Sequence, residues 1–109
     1  KIGYAVESPK NYTTQTLGTP NYGDHIDSII FDINGSMYTN DHNGDRVRRY
    51  TSTTPNGTII AGAGSSVNGS ITRPTGLAID NQFNLYIGDQ DADEIYRLSP
   101  GGTSLTTVI

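Results

Sequence analysis

Apolar residues recur along this chain in short alternating runs, and nowhere at the three-and-four spacing of an amphipathic helix. In the carboxyl-terminal half the runs cover 76–80, 84–88, 94–98 and 104–109, and before them stand 28–33, 36–40, 46–51 and 58–61. Each is rich in Ile, Val, Leu, Tyr and Thr and is bounded by turn residues, so each is predicted to be a strand. Asn34-Gly35 is a strong signal for a two-residue hairpin. Asn56-Gly57 and Pro100-Gly101-Gly102 are predicted to close the hairpins between the third and fourth strands of each set.

The two sets are copies of one pattern. Asp32 and Asp80, Tyr38 and Tyr86, and Asp41 and Asp89 all lie 48 positions apart, and Val47/Ile95 and Arg49/Arg97 keep the register. A fixed period of this length marks a supersecondary unit that cannot bury its apolar side alone. Four strands joined by hairpins in each unit predict the blade of a β-propeller. Lys1-Ile2-Gly3-Tyr4-Ala5 parallels Arg46-Val47-Arg48-Arg49-Tyr50, and Thr14-Gln15-Thr16-Leu17 supplies an outer strand. The predicted organisation is a partial blade over 1–24 and two blades over 25–70 and 71–109. Closed propellers typically have about 4–8 blades, so the expectation is an incomplete or open array. Lys1-Ile2-Gly3 reads as the inside of a strand, which predicts a mature segment or a fragment.

Composition sharpens this. Hydrophobic residues make up only 33% and charged residues 17%; Gly, Ser, Thr and Asn fill the difference. A core this thin is marginal unless neighbouring units share it. The net charge of −4 argues against a nucleic-acid partner, because phosphate contacts need clustered Lys and Arg. No apolar run of about 18 residues occurs, so no membrane span is expected. There is no cysteine, hence no disulfide or thiolate metal site.

The repeated pattern resembles the NHL repeat. Pro74-Thr75-Gly76-Leu77-Ala78-Ile79-Asp80, Asn84-Leu85-Tyr86-Ile87-Gly88-Asp89 and Glu94-Ile95-Tyr96-Arg97-Leu98 carry the likeness in the second unit. Asp32, Met37-Tyr38-Thr39-Asn40-Asp41, Arg46-Val47 and the glycine-rich Ala61-Gly62-Ala63-Gly64 carry it in the first. Ile26 and Ser28 replace the family's Pro and Gly in the first unit, and Glu94 replaces its basic residue in the second. The resemblance implies an all-β fold of NHL-like blades, each a four-stranded antiparallel sheet. Asp32 and Asp80, at the ends of the innermost strands, are expected to accept backbone N–H bonds in the following turns.

Four matches to the N-glycosylation pattern stand at Asn11, Asn34, Asn56 and Asn68, all in predicted turns or loops. Two readings remain side by side: sugar acceptors on a secreted protein, or Asn-Gly hairpin chemistry followed by a strand. Asp89-x-Asp91-x-Asp93 and Asp41-x-Asn43-x-Asp45 look like calcium ligand runs at one repeat position. They lack the turn glycine and the bidentate Glu of an EF-hand, so solvated loops are the favoured reading and calcium is not expected. Arg46, Arg48 and Arg49 read as a solvated strand face, and His25 and His42 as loop residues. No nucleophile elbow, phosphate loop or paired catalytic carboxylate appears, so no enzyme activity and no cofactor beyond covalent glycans are expected.

The expected function is an extracellular, N-glycosylated structural or interaction module. Its partners are other copies of itself or adjoining repeats, and other proteins or glycans. A whole protomer with open ends would stack head to tail into a filament. The alternative is a ligand- or protein-binding propeller segment of a larger receptor or enzyme.

Overall fold

The computed structural model describes residues 26–41 and 45–109. The partial blade expected over 1–24 lies outside them, as do Asn11, His25, His42 and Asn43. The described residues form two four-stranded antiparallel sheets and no helix. Strands β1 (Ile26–Phe31), β2 (Met37–Asp41), β3 (Arg46–Thr51) and β4 (Thr54–Gly62) make the first sheet in chain order. Strands β5 (Pro74–Ile79), β6 (Leu85–Asp89), β7 (Glu94–Leu98) and β8 (Thr106–Thr107) make the second.

The copies keep their register in space. Ile30 faces Tyr38 as Ala78 faces Tyr86, and Arg49 faces Tyr38 as Arg97 faces Tyr86. Both innermost strands carry an irregularity at the same place, between Ile26 and Ser28 and between Pro74 and Gly76. Strand β8 is shorter than its run predicts. Hydrogen bonds from Val108 N to Ile95 O and from Ile95 N to Ile109 O nonetheless continue the pairing to the last residue.

Two turns differ from the sequence expectation. The β1–β2 connection is a three-residue loop, Ile33-Asn34-Gly35, closed by Asp32 N to Ser36 O and by Gly35 N to Asp32 O, both 3.0 Å. This is a type I turn followed by a left-handed residue, Gly35 at φ 87°. The β3–β4 turn falls at Ser52-Thr53, one turn earlier than Asn56-Gly57. Hydroxyls close it: Thr51 Oγ1 and Thr54 Oγ1 lie 2.7 Å apart, and each accepts the other residue's backbone N–H. Asn56-Gly57 therefore sits within β4, where the register slips between Thr51↔Thr54 and Arg49↔Thr58. Gly57, at φ 81°, lets the bulge pass the Tyr50 ring, because a Cβ there would lie 2.6 Å from that ring.

One core spans both sheets. Tyr38, Val47 and Ala61 of the first sheet pack with Leu85, Ile87 and Leu98 of the second and with Ile71 from the connection. Strand β5 lies against β1 and β2. A polar bridge crosses the same seam at Asn40, which is fully buried: Ser28 N donates to its Oδ1 (2.6 Å) and its Nδ2 donates to Pro74 O (2.8 Å). Gly88 holds the equivalent position in the second sheet.

Candidate functional site

Three places gather functional side chains: the turn carboxylates, the cleft between the sheets, and the apolar outer positions.

The turn carboxylates come from the repeat itself. Asp32 Oδ1 accepts the backbone N–H groups of Asn34 (2.9 Å) and Ser36 (3.0 Å), and Asp32 Oδ2 accepts the Tyr38 hydroxyl (2.9 Å). Asp80 does the same with Gln82, Asn84 and Tyr86, and its Oδ2 also accepts the Asn84 side-chain amide (3.0 Å). The expectation that these residues cap the turns agrees with this geometry. Burial pushes the Asp32 carboxyl up, but the bonds from Tyr38, Ser36 and Asn34 outweigh it and hold the carboxyl below its ordinary value. Backbone and side-chain bonds from Asn84 lower Asp80 in the same way. A carboxylate that accepts three or four donors in this way pins the turn that follows it.

The second turn departs from the first at one residue. Phe83 takes the left-handed conformation (φ 65°) that Gly35 takes in the first. A side chain in that region is strained by about 1–3 kcal/mol. Phe83 N still donates to Asp80 O at 3.0 Å, so the Asp80 pin holds the strained residue in place.

Of the two weak calcium candidates, Asp89, Asp91 and Asp93 are not grouped, and Asn43 of the other run lies outside the described residues. Asp89 turns inward and is buried, where it accepts Thr72 N (2.8 Å), Thr72 Oγ1 (2.7 Å), Arg73 N (3.0 Å) and Ala92 N (3.3 Å). Its lone pairs thereby tie the inter-sheet connection to β6. Burial raises its pKa, and these four bonds more than reverse the effect. Asp91 is exposed and stands 3.9 Å from Arg73, a pair worth little at the surface. Asp93 and Asp45 occupy left-handed turn positions (φ 54° and 56°), and Asp41 is buried at the end of β2. Among the described residues no three His, Asp or Glu side chains are grouped to hold a metal ion. In the Arg cluster, Arg49 donates to Ser36 Oγ (3.2 Å) and lies 5.9 Å above the Tyr38 ring.

The cleft opens between the two sheets at the β1–β2 and β5–β6 turns. Its volume is about 520 Å³. The second sheet and its first turn contribute the apolar Ile79, Phe83, Leu85 and Leu98 to its lining, and the first sheet contributes Asp32, Asn34 and Arg49 together with Ile59 and Ile60. Sequence reasoning missed this feature, because it depends on how two sheets meet. The only local hint was Phe83, a bulky residue at the position where the other copy has Gly35.

Of the acceptor patterns, Asn34 lies in the first turn, Asn56 in the β4 bulge, and Asn68 in the connection between the sheets. All three are exposed. Asn56 is thus not in the turn the sequence predicted. Asn68 pairs through its backbone with the segment before β8, by Asn68 N to Thr103 O (2.8 Å) and Leu105 N to Asn68 O (2.9 Å).

The outer positions divide the copies. Leu77 and Ile79 pack on the shared core, whereas their counterparts Ile29 and Phe31 are 53% and 60% exposed. Val47 is fully buried, whereas its counterpart Ile95 is 36% exposed and the terminal Ile109 is 77% exposed. No helix among the described residues is long and apolar enough to cross a membrane. Compared with known proteins, the chain matches no protein-family model and no curated protein sequence.

Proposed function

We propose that this chain is a non-enzymatic extracellular structural or interaction module of NHL-type blades, N-glycosylated, that joins copies of itself head to tail. One observation carries the reading. The seam between the two sheets pairs the Tyr38–Val47–Ala61 side of one with the Leu77–Ile79–Ile87 side of the next. Some of these positions come to the surface on the two flanks: Ile29 and Phe31, the counterparts of Leu77 and Ile79, on one, and Ile95 and Ile109, the counterparts of Val47 and Ala61, on the other, whereas Thr39, the counterpart of Ile87, is buried. Each flank of the described sheets therefore offers part of a contact that they already make once. A head-to-tail contact of this kind closes into a ring or, if the rotation does not close, continues as a filament. The turn carboxylates support a non-enzymatic role, since Asp32, Asp80 and Asp89 are committed to backbone donors.

Sedimentation velocity over a hundredfold concentration range tests the assembly. Species larger than the monomer should grow with concentration, and Phe31→Glu should return the chain to monomer. A monomer at every concentration overturns the head-to-tail reading. Intact mass of native material before and after deglycosylation tests the sugar, and an unshifted mass removes it from the reading. The alternative, a ligand-binding segment of a larger receptor or enzyme, is favoured by the cleft, whose volume of about 520 Å³ falls in the range of small-ligand sites (roughly 300–1,000 Å³).

A further inference from the structure

The cleft, the unused amide of Asn34 and the ring of Phe83, carried on a left-handed backbone, meet at one end of the seam. Asn34 lines the cleft and is exposed, and its side-chain amide makes no hydrogen bond among the described residues. The other asparagines near the seam are committed: Asn40 bridges the sheets and Asn84 donates to Asp80. Asn56 and Asn68 do not line the cleft. Phe83 holds a left-handed backbone where the first copy uses Gly35, so the turn alone does not account for an aromatic side chain there. Its ring is only half-buried and forms part of the apolar lining.

We propose that the sugar chain attached to Asn34 folds back into this cleft and lays its first N-acetylhexosamine against Phe83. The inference rests on the glycoprotein reading above. Attachment forms the Asn34 Nδ2–C1 bond while the C1–O bond to a lipid-linked diphosphate donor breaks. The asparagine amide gives up one proton and the lipid diphosphate leaves. A pyranose suits such a site because it has a C–H face for an aromatic wall and an equatorial rim of hydroxyls. Arg49 can donate to that rim, and Ser99 can donate or accept. Burying the apolar lining under the sugar removes it from water and fastens the two turns together. The sugar at Asn34 is then part of the seam, while those at Asn56 and Asn68 extend into solvent.

The test uses the full chain secreted from a eukaryotic host. Glycopeptide mass spectrometry follows release by a peptide N-glycosidase from the native protein, site by site. Release at Asn34 should be at least tenfold slower than at Asn56, and the difference should vanish after denaturation. Phe83→Gly, which relieves the backbone strain and removes the wall, should bring Asn34 to the Asn56 rate. A nuclear Overhauser contact between the sugar's N-acetyl methyl and the Phe83 ring should be present in the native chain and does not depend on the variant folding. Equal native rates at Asn34 and Asn56 overturn the inference while leaving the glycoprotein reading intact. So does a bare Asn34 beside occupied Asn56 and Asn68. Absence of sugar at all sites overturns both.

Discussion

The first sheet and the second are built to the same plan and differ in what covers them. Leu77 and Ile79 are pressed against a neighbouring sheet, while Ile29 and Phe31, 48 positions earlier, face solvent. Val47 is sealed and Ile95 is 36% exposed. The hairpins close by local means, through Asp32 and Asp80 pinning their turns. Burial is a property of the relation between sheets. The same position is core or surface according to whether another sheet lies against it. Asn40 makes the point with polar atoms: it reaches across the seam to Pro74, and the equivalent position in the second sheet is Gly88.

The largest effect that can break this comparison is at that bridge. Asn40→Leu leaves Ser28 N and Pro74 O without their partner at a buried seam. It should cost about 3 kcal/mol in urea unfolding at low protein concentration. A loss under about 0.5 kcal/mol, the range of ordinary surface changes, would show that the bridge does not hold the sheets together. Next comes the matched pair Val47→Ala and Ile95→Ala. The first should cost about 2 kcal/mol and the second, at a position 36% exposed, about 1 kcal/mol. Equal losses would mean that the two sheets are equally covered in solution.

The smallest effect sharpens the role of the connection. Asp89 has its pKa held below the ordinary carboxylate value in the folded chain, so below that value the unfolded chain binds more protons than the folded one. The stability Asp89 contributes is complete above about pH 4 and is lost as pH falls through its folded pKa. Asp89→Asn should flatten the acid limb of the stability–pH curve. An acid limb as steep as the wild type's would place the proton uptake elsewhere.

Strand positions were legible because period-two alternation survives in each copy, and the 48-residue register pairs equivalent residues in the sequence itself. The pinning role of Asp32 and Asp80 followed from their place before a turn. Other features were not legible, for identifiable reasons. Asn34-Gly35 suggested a two-residue hairpin, but Asp32 accepts from residues two and four positions on, which selects a three-residue loop. The β3–β4 turn was displaced because paired threonine hydroxyls close it, and these carry a weaker turn signal than Asn-Gly. The inward turn of Asp89, the Asn40 bridge and the cleft all arise where two sheets meet. Local periodicity holds no information on that meeting.

The shared core has a consequence for how such a chain can grow. Adding one more unit conceals one oily flank and presents an equivalent one, so the water-exposed apolar area stays constant while the hidden area increases with every copy. Stability per unit therefore rises with copy number, and the penalty of two bare ends is spread ever more thinly. Duplication is thus the change this sequence plan tolerates most readily, and a unit cut out alone is the piece that would be least able to stand.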